Sequence, residues 1–102
     1  MIIVNAKIVA DENTIAAMKS AIATMETASR AEAGCDDYTF SVELNDPNVL
    51  RITERWHDEA SLKAHFATPH MAAFQAAMGA HPPREVTALF YDATEVPAPN
   101  VG

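Results

Sequence analysis

The stretch RITERWHDEASLKAHFATPHMAAF, residues 51–74, passes from strand-like alternation to helical spacing. Its first part belongs to the run 49–56, in which apolar and polar residues alternate. One parity of this run holds Leu50, Ile52, Glu54 and Trp56. Such alternation is typical of a strand with one buried face. The shared parity predicts that Trp56 points towards the helices together with the apolar residues of its strand.

A helix in two parts follows this strand. Asp58 can cap the first part with its side-chain oxygens. The apolar side of that part carries Leu62, His65 and Phe66. Thr68-Pro69 interrupts the helix and starts it again, because Thr is a favoured cap and Pro suits the first helical position. The second part carries Met71, Phe74 and Met78 and ends at the residues GAHPP.

The N-terminal third predicts a strand and a first helix. Residues 2–9 (IIVNAKIV) are rich in β-branched side chains and apolar on both parities, which suits a central strand. The capping oxygens of ADENT (10–14) follow, and a buried helical stripe consists of Ile15, Met18, Ile22 and Met25. Gly34 is expected to end this helix in the left-handed conformation.

The remaining segments complete a ferredoxin-like order. Residues 35–44 and 49–56 alternate on either side of the turn 45–48, which predicts a hairpin, and residues 84–96 read as the last strand. The order βαββαβ predicts an α+β, ferredoxin-like fold with a four-stranded antiparallel sheet over residues 1–96, followed by a tail at 97–102. Both helices would cover one face of the sheet. Because the central strands look apolar on both parities, a second subunit is expected to cover the other face.

Composition excludes several classes of function. A length of 102 residues with 49% hydrophobic residues suits one globular domain. The net charge of −7, with only seven Lys and Arg residues, argues against nucleic-acid and anionic-membrane partners. The apolar N-terminus lacks a basic region and is too short to span a membrane, so a soluble, cytoplasmic protein is expected. A single cysteine excludes an intramolecular disulfide.

The four histidines raise the question of a metal site. No pair has the His-x-x-x-His helical spacing, and His65 and His70, five residues apart, are expected to diverge on a helix. The sequence also lacks a Gly-x-Gly-x-x-Gly motif and a phosphate-binding loop. We therefore expect no metal ion and no other cofactor.

Trp56 and His65 each allow a structural and a functional interpretation. In the structural interpretation both residues belong to the core. The indole N–H of Trp56 then finds a hydrogen-bond partner, and His65 lies on the apolar side of a helix. In the functional interpretation, Trp56 and His65 face one another across a cavity between the sheet and the second helix. Trp56 then forms a wall of this cavity, and the imidazole of His65 accepts a phenolic proton near neutral pH. Asn5, in a central strand, either bonds a neighbouring strand or subunit or contacts a bound oxygen or substrate hydroxyl. Glu54 either pairs with a cation or orients His65.

The same residues carry a resemblance to a known family. The pattern consists of Glu32, Gly34, Cys35 and Tyr38, then Glu54 and Trp56, then Leu62, His65, Thr68, Pro69 and His70. It resembles the antibiotic biosynthesis monooxygenase (ABM) domain family over residues 1–96. The resemblance implies a dimeric α/β barrel, with two sheets closing face to face and a substrate cavity between the helices and the sheet of each subunit. It also implies oxidation of phenols or hydroquinones by O₂ without metal or flavin. Some relatives instead degrade haem, and these use an Asn on the first strand.

Two hypotheses follow. In the first, a homodimeric, cofactor-independent monooxygenase oxidises a small aromatic substrate with O₂ to a quinone. His65, Trp56 and Asn5 are then the catalytic candidates, and the substrate-binding candidates are Tyr38, Phe40, Glu54, Phe66, His70, Phe74 and Met78. In the second, a non-catalytic dimer binds an aromatic metabolite or haem or has only a structural role, with a haem-degrading relative as a further alternative. The acidity of the chain disfavours haem, because its propionates require cations.

Overall fold

The computed structural model describes residues 1–100, which contain four strands and four helices. The strands are β1 (Ile2–Val9), β2 (Cys35–Glu43), β3 (Asp46–Trp56) and β4 (Glu85–Asp92). The helices are α1 (Glu12–Ala17), α2 (Lys19–Arg30), α3 (Glu59–Phe66) and α4 (Pro69–Ala80). One antiparallel sheet has the order β2-β3-β1-β4, so the predicted ferredoxin-like fold is confirmed. None of the helices within residues 1–100 has the length and apolar character needed to cross a membrane.

Strand register decides which side chains face the helices. One row across the sheet consists of Tyr38, Glu54, Val4 and Phe90. The next row consists of Phe40, Ile52, Ala6 and Ala88. This side of the sheet packs against Met18 and Met25 of the first helical region and against Leu62 and Phe74 of the second. Trp56 lies on the same side and is fully buried, as its parity predicts.

The outer face of the sheet differs from the apolar surface that the sequence predicts. Its central positions are polar or charged and consist of Asn5, Lys7, Arg51, Thr53 and Arg55. The apolar residues of β1 on this face, Ile3 and Val9, lie towards the ends of the strand. Exposed apolar side chains are instead found on the edge strand β4, where Leu89 is 58% exposed and Tyr91 is 46% exposed. The predicted apolar face is absent because the apolar residues of this parity lie towards the ends of β1, whereas polar residues occupy its centre.

Local sequence signals set most of the helix boundaries. The Asp11 carboxylate accepts the Thr14 N–H at 2.8 Å, and Asp58 accepts the Ser61 N–H at the same distance. Thr68 caps α4, with Pro69 in its first turn, so the predicted break between α3 and α4 is confirmed. The first predicted helix is also divided, at Met18, whose N–H bonds to the carbonyl groups of Thr14 and Ile15.

Strands β3 and β4 have boundaries that differ from the predicted ones. The turn between β2 and β3 is shorter than predicted, because β3 already begins at Asp46 and pairs there with Glu43. The last strand ends at Asp92 rather than at residue 96, because its partner β1 begins at Ile2. Residues 93–100 form neither helix nor strand. The last two residues of the predicted tail, 101 and 102, lie outside the described part of the chain.

Gly34 is required for a reason that differs from the predicted one. Its backbone does not adopt the left-handed conformation, so it is not a left-handed helix stop. Instead, a Cβ atom at this position would collide with Oγ and Cβ of Ser61. The Gly34 carbonyl oxygen also accepts the His57 N–H at 2.9 Å, which joins this turn to the start of α3. The glycine permits the close approach of two segments that carry the site described below.

Replacing Gly34 with Ala is expected to lower the free energy of unfolding by about 1–3 kcal/mol, the usual cost of forcing extra volume into a packed position. Urea unfolding measures this loss. Adding Ser61→Gly to Gly34→Ala should restore much of it, because the colliding side chain is then absent. Gly79→Ala is the matched control: apart from its own stretch of α4, no atom of residues 1–100 lies within 4 Å of its added Cβ, so it should stabilise α4. Equal effects of both substitutions would contradict the collision.

Candidate active site

A cavity of about 170 Å³ lies between α3, α4 and the helix-facing side of the sheet. Its floor contains Ala6 and Ala88, which pair across β1 and β4. Because both side chains are single methyl groups, the space above them is left open. The cavity reaches solvent beside β4, where Phe66 and Phe90 are each about half exposed.

The cavity is apolar apart from three side chains. Its polar lining residues are Tyr38, Glu54 and Gln75. The apolar lining residues are Val4, Ala6, Ile8, Met25, Ile52, Phe66, Met71, Phe74, Met78, Val86, Ala88 and Phe90. No lysine or arginine belongs to this lining among residues 1–100. The arrangement suits a small aromatic ring with one or two polar substituents, since an apolar cavity of ~150 Å³ can hold benzene.

Glu54 is the ionisable group of the cavity whose protonation changes near neutral pH. Burial raises the pKa of its carboxyl group to about 7, and the negative charge of Glu32 contributes to this increase. The Trp56 indole opposes the increase, because its Nε1–H donates to Glu54 Oε1 at 2.9 Å. A carboxylate with this pKa is a stronger proton acceptor than an ordinary glutamate. Burial also raises the pKa of the neighbouring Tyr38, which stays a neutral phenol.

Trp56 and His65 are in contact rather than on opposite sides of a cavity. Their ring centroids are 4.6 Å apart, and both side chains are fully buried. Tyr38 also approaches the imidazole, with ring centroids 5.4 Å apart. Neither Trp56 nor His65 lines the cavity. His65 is therefore not placed to touch a ligand in the cavity, and the expected space between the two rings is filled by the rings themselves.

His65 and His70 converge on Glu32, contrary to the expected divergence. His65 Nδ1 lies 2.7 Å from Glu32 Oε2, and His70 Nε2 lies 2.8 Å from the same oxygen. The divergence expected from the sequence assumes one continuous helix, whereas the break at Thr68 places the two histidines on separate helices. Three potential metal ligands thus lie within 4.8 Å of one another.

The structure divides the predicted site residues into two groups. Those that line the cavity are Tyr38, Glu54, Phe66, Phe74 and Met78. Those that do not are Asn5, Phe40, Trp56, His65 and His70. Asn5 is on the outer face of the sheet, because its parity is opposite to that of Val4 and Ala6. Phe40 packs against Phe74, with ring centroids 5.5 Å apart.

Sequence reasoning did not assign a role to Glu32 or to Gln75. Gln75 could have been found, because it lies four residues after Met71 and three before Met78 on the same helical stripe. Glu32 belongs to the quoted family pattern, but no local spacing connects it with His65 and His70. These histidines follow it by 33 and 38 residues along the chain. Cys35, half-buried with a thiol pKa raised by burial to about 11, is not a reactive nucleophile.

Comparison with known proteins agrees with this architecture. The sequence profile of the antibiotic biosynthesis monooxygenase family matches residues 1–77. No curated protein matches the chain by sequence.

Solved structures show the same fold. A Pseudomonas aeruginosa protein is 26% identical, with a TM-score of 0.82, and the match covers 92% of this chain and 94% of that one. A Deinococcus radiodurans protein, described as a candidate antibiotic biosynthesis monooxygenase, is 24% identical, with a TM-score of 0.88 and coverage of 96% and 97%. A Mycobacterium tuberculosis protein is 23% identical, with a TM-score of 0.83 and coverage of 95% and 98%. With the profile match over three quarters of its length, the chain belongs to the antibiotic biosynthesis monooxygenase family.

Proposed function

We propose that this protein is a cofactor-independent monooxygenase that oxidises an electron-rich, single-ring phenol or hydroquinone with O₂ to a quinone. The observation that carries the proposal is the Glu54 carboxyl group, with a pKa of about 7, in the wall of an otherwise apolar cavity. Membership of the family supports the reaction class. The cavity volume of about 170 Å³ supports a small aromatic substrate.

Glu54 acts as the proton acceptor in this proposal. A phenol has a pKa near ~10, and its phenolate gives up an electron far more readily than the neutral form. The Glu54 carboxylate takes the phenolic proton, and the ring transfers one electron to O₂. The phenoxyl radical and superoxide then recombine to form a ring C–O bond. The resulting peroxide receives the proton held by Glu54 and loses water, which breaks its O–O bond and the ring C–H bond and leaves a quinone. By the same route a hydroquinone gives a hydroxyquinone and water. The protein contributes position and a base.

The other residues hold the ring and the base. Phe66, Phe74 and Met78 supply apolar contacts, and Gln75 offers an amide to a second oxygen substituent. Trp56 orients the Glu54 carboxyl group through its indole N–H. Haem does not suit this cavity, because the lining within residues 1–100 holds no cation for its propionates. A binder of an aromatic metabolite would use the same cavity without turnover.

Oxygen uptake with a panel of substituted hydroquinones and phenols separates an enzyme from a binder. The proposal expects substrate-dependent oxygen consumption and formation of a quinone absorbance, with the pH dependence of kcat/KM rising through about 7 as Glu54 ionises. Binding of these compounds without oxygen consumption would instead establish the non-catalytic alternative.

Filling the cavity floor should block the substrate. Ala88→Leu places a larger side chain above β4, so the affinity for a single-ring phenol is expected to fall by about 10-fold or more, since small volume changes in apolar pockets have effects of this size. Isothermal titration calorimetry measures the affinity. Thr87→Leu is the matched control, because the neighbouring residue faces the other side of the sheet. An unchanged affinity in Ala88→Leu would place the ligand elsewhere.

We also propose that the protein is a homodimer. The support comes from β4, an edge strand with half-exposed apolar residues, including Leu89 and Tyr91 on the outer face. Sedimentation equilibrium at micromolar concentration is expected to give the mass of a dimer. Leu89→Asp should shift the equilibrium towards the monomer, because a charge would have to be buried. A stable, folded wild-type monomer at this concentration would refute the dimer.

A further inference from the structure

The Glu32 carboxylate is shared by two imidazole groups. Its Oε2 atom lies 2.7 Å from His65 Nδ1 and 2.8 Å from His70 Nε2. An ionised carboxylate only accepts hydrogen bonds, so both of these nitrogen atoms carry hydrogens. In neutral His65 the proton is thereby held on Nδ1, and the buried Nε2 atom, which has no hydrogen-bond partner among the described residues, is left bare.

The distances within this cluster are those of hydrogen bonds. Ligands at about 2.0–2.1 Å around a tetrahedral zinc ion would be roughly 3.3 Å apart. The two nitrogen–oxygen distances, 2.7 and 2.8 Å, are shorter than this and typical of charge-assisted hydrogen bonds. Coordination by His65 Nδ1 would also require Nε2 to carry the hydrogen, and this buried atom has no acceptor among residues 1–100.

A continuous series of contacts leads from this cluster to the cavity. The imidazole of His65 lies against the Trp56 indole, with centroids 4.6 Å apart. The indole Nε1–H donates to Glu54 Oε1, and Glu54 lines the cavity. Glu32 and His70 are only 16% and 17% exposed in their side chains, whereas His65 is fully buried. The imidazole is therefore fixed on one side by Glu32 and presses on the indole on the other.

We propose that Glu32 is a positioning residue. By accepting hydrogen bonds from His65 and His70, its carboxylate holds the His65 imidazole against Trp56. The Trp56 indole in turn holds the Glu54 carboxyl group in the cavity wall. The role assigned to Glu54 rests on the function proposed above. The positioning itself does not depend on turnover. Glu32 touches no substrate in this arrangement and acts only through other side chains.

Nuclear magnetic resonance tests the positioning directly. Trp56 is the only tryptophan, so its indole N–H gives one resonance. In Glu32→Ala we expect this N–H to exchange with solvent at least about 10-fold faster than in the wild type, because its support is loosened. Glu32→Gln keeps an oxygen that can accept both imidazole hydrogens and should restore slow exchange. Glu59→Gln, at an exposed pair with Lys63, is the matched control and should leave the indole unchanged.

The wild-type protein gives a second, independent test if Glu32→Ala does not fold. Nitrogen spectra of labelled histidine at mildly alkaline pH should show a hydrogen on Nδ1 of His65 and on Nε2 of His70. The opposite protonation, or unchanged indole exchange in a folded Glu32→Ala variant, would overturn the proposal. Stoichiometric binding of added Zn²⁺ with loss of both imidazole hydrogens would also overturn it in favour of a metal site. These spectra are independent of oxygen uptake, so a protein without turnover would refute the proposed function but leave the positioning test intact.

Discussion

Glu54→Gln is expected to lower oxygen consumption by about 10²- to 10⁴-fold, the usual contribution of a general base. The amide has nearly the same shape and can still accept the Trp56 indole N–H, but it cannot take a proton. Oxygen uptake measures the loss, and Trp56 fluorescence verifies that the indole stays buried. A variant that retains most of its turnover would remove Glu54 from the chemistry.

Glu54→Gln is expected to raise the stability of the protein near neutral pH, although it lowers oxygen consumption. The pKa of Glu54 rises from 4.5 to about 7 on folding, so folding favours the protonated form. Below pH 4.5 the Glu54 carboxyl group therefore costs the wild type no stability. As the pH rises from 4.5 to about 7, the wild type progressively loses stability. Above that pH the loss is on the order of 3 kcal/mol, and Glu54→Gln does not suffer it. Urea unfolding over this range should show the variant gaining on the wild type. Exposed Glu59→Gln should show no such trend.

His65→Ala is expected to destabilise the protein by about 3 kcal/mol, as for other large-to-small changes in a packed core. For a domain of this size the melting temperature should fall by more than ~10 °C. His65 is fully buried between Trp56 and Tyr38, and its loss leaves a void and removes one of the two hydrogen bonds to Glu32. Calorimetry measures the change. His57→Ala, at an exposed pair with Asp36, is the control and should alter stability little.

The outcome separates two roles for His65. If the imidazole were the direct proton acceptor that the sequence suggests, its removal would abolish turnover and leave the melting temperature nearly unchanged. A core and positioning role requires a large loss of stability, accompanied by disturbance of the Trp56 indole. The full burial of the side chain and its absence from the cavity lining favour the second result.

Much of the fold could be predicted because its signals are local. Asp58 and Thr68-Pro69 specify where α3 and α4 begin, since caps and proline act on the backbone within a few residues. Alternation in residues 49–56 fixed which side chains of β3 face the helices, because the side-chain period of a strand leaves only two choices. The residues of the family pattern are also readable in the sequence, and the match to residues 1–77 confirms the family.

The candidate site was only partly predictable. Parity and helical spacing predict that Tyr38, Glu54, Phe66, Phe74 and Met78 face the same space, and these residues line the cavity. Their contact with a substrate stays a prediction. Asn5 does not belong to this group. The resemblance suggests a functional Asn on the first strand, but the parity of Asn5 directs it to the outer face. Parity was readable from the sequence. Which side of β1 faces the helices became certain only with its pairing to β3.

Periodicity, capping and turn chemistry act over short distances, so the elements, their order and the family are readable from the amino-acid sequence. The tertiary structure brings His65 and His70 to Glu32, which precedes them by 33 and 38 residues, and it packs the rings of Trp56 and His65 directly against each other. It also showed that Gly34 is needed for the approach of Ser61. Such features arise where segments distant along the chain pack together, and close packing depends on the shapes of both partners. No local pattern encodes that contact.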